Sequence, residues 1–210
     1  AVQGVGEGGS GNGFYIDFIG DFGENMANAA SFTMGDIHVD ENHINTTLSA
    51  FSNGIYAEYS DFGENLSNSA VVHMGDVTFN SNVVRTNDTN GYGIYLYDFD
   101  WFGYDMYNNS IFTMGNLQIN NNTINSFDKG IQLGMWGEGG GWLGWFGVYM
   151  SGHAQATIGN IEANDNNINS INNDGIYEDY AYFGSYLENS AKFTMGDISF
   201  NRNTVKCSNG

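Results

Sequence analysis

A short motif, Met-Gly-Asp/Asn-Ile with few changes, recurs five times along the 210-residue chain and restricts its fold more than any other feature. A Phe-Gly pair stands twelve positions before the glycine of each copy, and an Asn-x-Ile/Val step begins seven positions after it. Each block from the Phe to the Ile or Val is therefore 23 residues long, from 22–44 in the first copy to 183–205 in the fifth. The glycines are Gly35, Gly75, Gly115, Gly159 and Gly196. Because all variation in repeat length lies outside the blocks, we interpret them as a stacked framework joined by surface loops.

Side chains within the blocks alternate between apolar and polar, as in Ser31-Phe32-Thr33-Met34, which is typical of β-strands. Gly and Asn between these stretches tolerate left-handed backbone conformations and can form corners. We therefore predict an all-β chain, a parallel β-solenoid (β-helix) whose single domain covers 1–210. Its five repeats of about 40 residues lie at 13–53, 54–92, 93–129, 130–174 and 175–210, after a Gly-rich lead at 1–12. The spacing leaves open whether one repeat makes one turn or two turns of about 20 residues.

Composition excludes several classes of partner. The chain has 24 acidic and five basic residues, a formal charge of −19, and so lacks the cationic surface that neutralises phosphate groups. We expect no nucleic-acid partner. No run of 18 apolar residues is present, so we expect no membrane insertion. The absence of proline is also informative, because proline removes a donor from a β-ladder.

The Asn that follows each motif is predicted to form a column when the repeats stack. Its members are Asn42, Asn82, Asn122, Asn166 and Asn203. Their amides could hydrogen-bond along the solenoid axis, or each Asn could serve only its own turn conformation. The acidic residues form no complete calcium-binding loop, and the four His share no position in the repeat, so we expect no metal and no cofactor.

Tryptophans mark the most irregular stretch of the chain. Trp136, Trp142 and Trp145 lie in a Gly-rich loop of the fourth repeat, and Trp101 lies in the corresponding window of the third. Such residues are candidates for contact with another subunit or for stacking on a glycan, although the loop could also fold back over its own solenoid. No spacing selects a pair of catalytic carboxylates, so we do not expect an enzyme.

Other features concern location and crosslinking. The lone Cys207 cannot form an intramolecular disulfide, so it is a buried or free thiol or a candidate for a disulfide with another chain. Candidate glycosylation sites are Asn45, Asn65, Asn87, Asn108 and Asn121. The sequence begins with Ala, so either a signal peptide has been removed or the chain is a fragment. We expect an extracellular or cell-surface location after signal-peptide removal.

Two stretches resemble a known group of repeats. Residues 122–126 (Asn-Thr-Ile-Asn-Ser), which lead into Gly130-Ile131, and residues 167–170 (Asn-Ile-Asn-Ser), which lead into Gly175-Ile176, look like the right-handed parallel β-helix repeats of methanogenic archaeal surface proteins. The resemblance spans the five repeats. Sheath and surface-layer proteins of that group form resistant tubes or lattices, so the resemblance implies a role in the cell envelope.

The predicted ends suggest how such a layer could form. No helical segment covers either end, and an uncapped rung is a template for another chain. We therefore expect a self-assembling extracellular structural protein that forms a filament, tube or sheath-like layer, with itself as partner, by stacking of solenoid ends and by lateral contacts. The alternative is a β-helix adhesin or glycan-binding module that uses the Trp-rich loop to bind cell-surface glycans.

Overall fold

A computed structural model describes residues 2–4, 13–46, 52–87, 89–133, 144–178 and 181–209. These residues form strands, bends and turns, and no helix capable of crossing a bilayer occurs among them. The strands are, in chain order, β1 (Val2–Gly4), β2 (Phe14–Phe22), β3 (Ser31–Met34), β4 (Ile37–His38), β5 (His43–Thr46), β6 (Ile55–Phe62), β7 (Val71–Met74), β8 (Val77–Thr78), β9 (Val83–Thr86), β10 (Ile94–Phe102), β11 (Ile111–Met114), β12 (Leu117–Gln118), β13 (Thr123–Ser126), β14 (Ile131–Leu133), β15 (Gly144–Phe146), β16 (Gln155–Ile158), β17 (Ile161–Glu162), β18 (Asn167–Ser170), β19 (Ile176–Glu178), β20 (Ala181–Phe183), β21 (Lys192–Met195), β22 (Ile198–Ser199) and β23 (Thr204–Cys207).

Among the described residues, four long parallel sheets run along the solenoid. Sheet A has six strands in the order β1-β5-β9-β13-β18-β23. Sheets B, C and D have five each, in the orders β2-β6-β10-β14-β19, β3-β7-β11-β16-β21 and β4-β8-β12-β17-β22. Strands β15 and β20 pair with each other and continue the side of sheet B, where Phe146 stacks on Phe102 of β10. The prediction of an all-β parallel solenoid is confirmed.

Each repeat makes one turn of the solenoid. Ile55 pairs with Phe14 in the rung on one side and with Ile94 in the rung on the other. Ile37 pairs with Val77, 40 residues further along. Register partners are thus one repeat apart, which decides the question that the spacing left open.

The Phe-Gly pairs mark a corner where the chain leaves sheet B. All five of these glycines have φ between 57° and 70°, a conformation that side chains with a Cβ rarely adopt. A Cβ on Gly63 would also lie 2.3 Å from the Phe112 ring. The corner therefore requires glycine for both its backbone conformation and its packing.

The phenylalanine of each pair points into the core. Successive rings stack with centroids 4.8 to 5.6 Å apart, in a column of Phe22, Phe62, Phe102, Phe146 and Phe183. A second column, in sheet C, alternates large with small side chains: Phe32, Val72, Phe112, Ala156 and Phe193. In this column each large ring therefore packs against a smaller side chain in the neighbouring rung.

Part of the Gly-rich lead joins the solenoid. The sequence predicts that 1–12 precede the first repeat, whereas in the structure Val2–Gly4 form β1, at one edge of sheet A. Val2 pairs with Ile44, Gln3 with Asn45 and Gly4 with Thr46. Sheet A is therefore one strand longer than sheets B, C and D among the described residues.

Candidate interaction surfaces

Asparagines at the corner before sheet A form a continuous ladder, which we call the inner Asn ladder. Its members are Asn42, Asn82, Asn122, Asn166 and Asn203. Each Oδ1 from Asn82 onward accepts hydrogen bonds from the backbone N–H and from Nδ2 of the Asn in the preceding rung, at 2.9–3.1 Å. The Nδ2 groups of the four members from Asn82 onward also donate to a backbone carbonyl. The ladder therefore satisfies polar groups that the solenoid buries.

Two further ladders run along the corners on either side of sheet D. We call them the Asp36 ladder (Asp36, Asp76, Asn116, Asn160 and Asp197) and the Asp40 ladder (Asp40, Asn80, Asn120, Asn164 and Asn201). In both, a side-chain oxygen accepts from the backbone N–H of the residue in the following rung. Only an acceptor oxygen is needed for this bond, so Asp and Asn interchange. The Asp40 ladder was not predicted, although an Asp or Asn two positions before each inner Asn is its signal in the sequence.

The ladders give the two ends of the solenoid opposite hydrogen-bonding character. Within the described residues, the Oδ1 of Asn42 has no donor in a preceding rung, and the backbone N–H of Asn203 has no following rung to donate to. Conversely, the side-chain oxygens of Asp197 and Asn201 lack the following-rung donor that the other members of their ladders have. One end therefore carries the groups that complement the other.

The C-terminal rung exposes apolar side chains that are buried elsewhere in the same columns. Phe200 is 42% exposed and Val205 46%, whereas their counterparts Ile119 and Ile124 in the third repeat are both 1% exposed. A depression of about 480 Å³ opens on this end. It is lined by Asp174, Gly175, Ile176, Glu178, Phe200, Asn203, Val205 and Cys207. The outer face of the fifth repeat is thus an apolar surface edged by polar groups in the described residues.

Charge is unequally distributed between the repeats. Three of the five basic residues, Lys192, Arg202 and Lys206, lie in the fifth repeat. Residues 13–46 contain six acidic residues and no Lys or Arg. Arg202 already binds Asp165 in the preceding rung through two hydrogen bonds of 2.6 Å. This pairing holds the pKa of the Asp165 carboxyl below its usual value.

An aromatic cluster covers part of the outer surface in repeats three to five. Trp101 stacks on Tyr104 with centroids 5.0 Å apart, and Trp145 lies 5.1 Å from Tyr182. Tyr104 contacts Trp145 edge-on at 5.4 Å, so the two pairs form one cluster. Trp136 and Trp142, which sequence analysis grouped with them, lie outside the described residues.

Two tyrosines extend this cluster in an unusual backbone conformation. Tyr149 and Tyr186 have φ of 55° and 54°, where the first three repeats carry Asn25, Asn65 and Asp105. A left-handed conformation is unfavourable for a bulky residue. The two rings stack 4.6 Å apart, and Tyr186 is 63% exposed. Tyr149 and Tyr186 therefore combine exposed rings with a strained backbone conformation.

A second, smaller depression of about 250 Å³ lies beside these rings. It is lined by Asp105, Tyr107, Tyr149, Met150, Ser151, Tyr186 and Glu188. The Tyr107 hydroxyl donates to Asp105, which raises the pKa of Tyr107 to about 12. Aromatic rings and polar oxygens therefore line one small concavity.

Cys207 and the candidate glycosylation sites occupy different environments. Cys207 is exposed and is in register with Ser170 of the preceding rung. Asn65 is half-buried, and its Nδ2 donates to Glu64. The other four acceptor asparagines, Asn45, Asn87, Asn108 and Asn121, are exposed.

Glu64 is the carboxyl group whose titration is most strongly perturbed in the described residues. It is 8% exposed. Burial, together with the nearby Asp61 and Glu24, raises its pKa from 4.5 to about 7. No group of three or more His, Cys, Asp or Glu able to hold a metal ion occurs among the described residues.

Comparison with protein families, with curated proteins and with solved structures yields no match to this chain.

Proposed function

We propose that this protein is a self-assembling structural protein whose solenoids stack end to end. Stacking, with lateral contacts between neighbouring solenoids, would yield a filament, tube or sheath-like layer at the cell surface. The resemblance of the repeats to those of methanogenic archaeal surface proteins favours a layer of the cell envelope. The partner is a second copy of the same chain, and the role requires neither a catalytic step nor a cofactor.

The exposed C-terminal rung carries this proposal. Its apolar side chains occupy the positions that other rungs bury, so a following rung would remove them from water. The first rung of a second copy has the same strand order and the same spacing between its strands. Parallel β-rungs pair through backbone groups that any such rung supplies.

The ladders supply a register for this contact. With the first rung of a second copy placed over the C-terminal rung, Asn203 can donate to Asn42 of that copy. In the opposite direction, the backbone N–H groups of Asp36 and Asp40 of that copy can donate to Asp197 and Asn201. These contacts repeat the geometry seen between neighbouring rungs within the chain.

Charge complementarity favours the same register. Arg202 occupies the left-handed corner position that Glu41 holds in the first repeat. In a stack, the guanidinium of Arg202 would lie between its own Asp165 and Glu41 of the next copy. An arginine between two carboxylates is favourable, and because the contact lies near the surface it weakens at high salt.

Gly35 provides a test because substitution there separates folding from stacking. A Cβ on Gly35 meets no atom within 4 Å, whereas a Cβ on Gly75, one rung further on, would lie 2.1 Å from Asp36 Oδ1. In the proposed stack, Gly35 would face Asp197 of the neighbouring copy in the same way. Overpacking of this kind costs about 1–3 kcal/mol, so we expect G35A to raise the critical concentration for assembly about tenfold, and the larger G35V to raise it further.

The experiment compares the wild type, G35A, G35V and T123A by electron microscopy and sedimentation, with thermal unfolding as the check on folding. Thr123 is exposed on the side of the third repeat, so T123A is the matched control and should assemble like the wild type. Wild-type chains that remain dispersed at high concentration, with no assembly even when strand β1 is weakened, would contradict the proposal. If G35V assembles at the same critical concentration as the wild type, the proposed end contact is contradicted.

Glycan binding is a second candidate, favoured by the depression beside Tyr149 and Tyr186. Sugar sites commonly combine aromatic rings with hydrogen-bonding oxygens, and both are present there. A titration of intrinsic fluorescence with a panel of glycans tests it, with Y186A as the variant expected to lose the response. A response that is absent, or unchanged in Y186A, argues against a glycan site in this depression.

A further inference from the structure

Strand β1 occupies the position that an incoming C-terminal rung needs. In the proposed stack, β19, β21 and β22 of one copy lie against the outer edges of β2, β3 and β4 of the next, which are sheet edges among the described strands. The remaining strand, β23, would have to pair with β5. That edge of β5 is already paired with β1 of its own chain.

The pairing of β1 resembles the pairing that β23 would make. β1 places Val2 in register with Ile44, and β23 would place Val205 there, because Val205 lies in the same column. Ile44 is 2% exposed at the end that carries β1, whereas Val205 at the opposite end is 46% exposed. β1 therefore stands at the N-terminal edge of sheet A, where a complete solenoid would have another rung.

The two pairings differ in how many residues and how many strands take part. β1 pairs with β5 through three residues, whereas β23 pairs with β18 of its own chain through four. An incoming rung also brings strands to sheets B, C and D, which β1 does not contact. The incoming rung thus offers a larger contact than the one it would replace.

We propose that β1 is an exchangeable strand: it occupies the edge of sheet A in the isolated chain and is displaced by β23 of a second copy during stacking. This inference rests on the proposed end-to-end assembly. It adds that the edge of sheet A is the regulated part of the contact, while the edges of sheets B, C and D pair with no further strand among the described residues. Release of β1 then limits how fast a new copy is added.

A reversible disulfide can hold β1 in place. Gln3 and Asn45 are register partners, and adjacent strands lie about 4.8 Å apart, within the range that a disulfide can bridge. In a C207S background, Q3C/N45C would be locked when oxidised and free when reduced. We expect the oxidised protein to extend assemblies at least about tenfold more slowly than the C207S parent, and reduction to restore the parent rate. Oxidation of C207S alone is the control.

The opposite perturbation weakens β1. The double substitution V2P/G4P removes two backbone donors from the strand, so it should assemble faster than the wild type and with a shorter lag. Equal assembly by the oxidised and reduced Q3C/N45C protein would overturn the exchange while leaving end-to-end stacking intact. If the wild type stays dispersed but V2P/G4P assembles, the exchange is supported. If neither assembles, both proposals are wrong.

Discussion

Replacement of Asn122 by alanine tests the energetic role of the inner Asn ladder. Asn122 is 1% exposed in the middle rung. Its Oδ1 accepts from the N–H and Nδ2 of Asn82 at 2.9 and 3.1 Å. Its Nδ2 donates to the Phe79 carbonyl and to Asn166 Oδ1 at 2.9 and 3.0 Å. N122A removes all four bonds, and at a net 1 kcal/mol each we expect a loss of about 4 kcal/mol in the free energy of unfolding.

Urea unfolding followed by circular dichroism measures this loss, at protein concentrations where the chain is dispersed. Asn45 provides the matched control, since it is exposed on the outer side of β5, and N45A should change stability by less than about 0.5 kcal/mol. Coincident transitions by fluorescence and circular dichroism would justify a two-state treatment. A loss below about 1 kcal/mol for N122A, or equal losses for the two variants, would refute the view that the ladder stabilises the fold.

Three further predictions concern single positions. The raised pKa of Glu64, about 7, means that the folded chain keeps a proton that the unfolded chain releases above pH 4.5, so stability should fall as the pH rises from 4.5 to 7. E64Q should reduce this fall, measured as urea midpoints at pH 5 and pH 8; an unchanged profile would contradict the assignment. G63A should lower the free energy of unfolding by at least about 2 kcal/mol, because φ of Gly63 is 70° and the added Cβ would meet the Phe112 ring. G35A is the control and should leave the free energy of unfolding unchanged. Equal melting temperatures for the two variants would contradict this prediction. Exposed Cys207 should react with a thiol reagent in the dispersed, reduced chain, and a non-reducing gel of assembled material tests for a disulfide between copies; a monomer band alone would exclude that crosslink.

The repeated blocks carry enough information to predict the fold class. The constant distance between Phe-Gly and Met-Gly-Asp/Asn, with apolar and polar residues alternating between them, permits few solutions other than stacked parallel strands. The inner Asn column follows from the same spacing, because residues at equal positions in equal repeats must lie on one line. Such features are local or periodic, so a single sequence contains them.

Other features depended on contacts between rungs that no spacing reveals. The spacing places Asp36 and Asp76 in one column, but only the structure shows that the side-chain oxygen of Asp36 accepts from the backbone N–H of Asp76 in the following rung. The aromatic cluster likewise joins Trp101 and Trp145, which lie far apart in the sequence and meet through Tyr104. The aromatic contact could not be predicted, because it depends on how the loops of successive rungs lie on the outer surface.

The sequence by itself therefore determined a five-repeat parallel solenoid with an Asn column, since periodicity alone requires like residues to stack. Only the tertiary structure decided that one repeat makes one turn, that three ladders run along the corners, and that β1 lies on the edge of sheet A. The physical reason is that strand pairing and side-chain hydrogen bonds act between residues about 40 positions apart. Whether two such residues meet depends on the path of the whole turn between them.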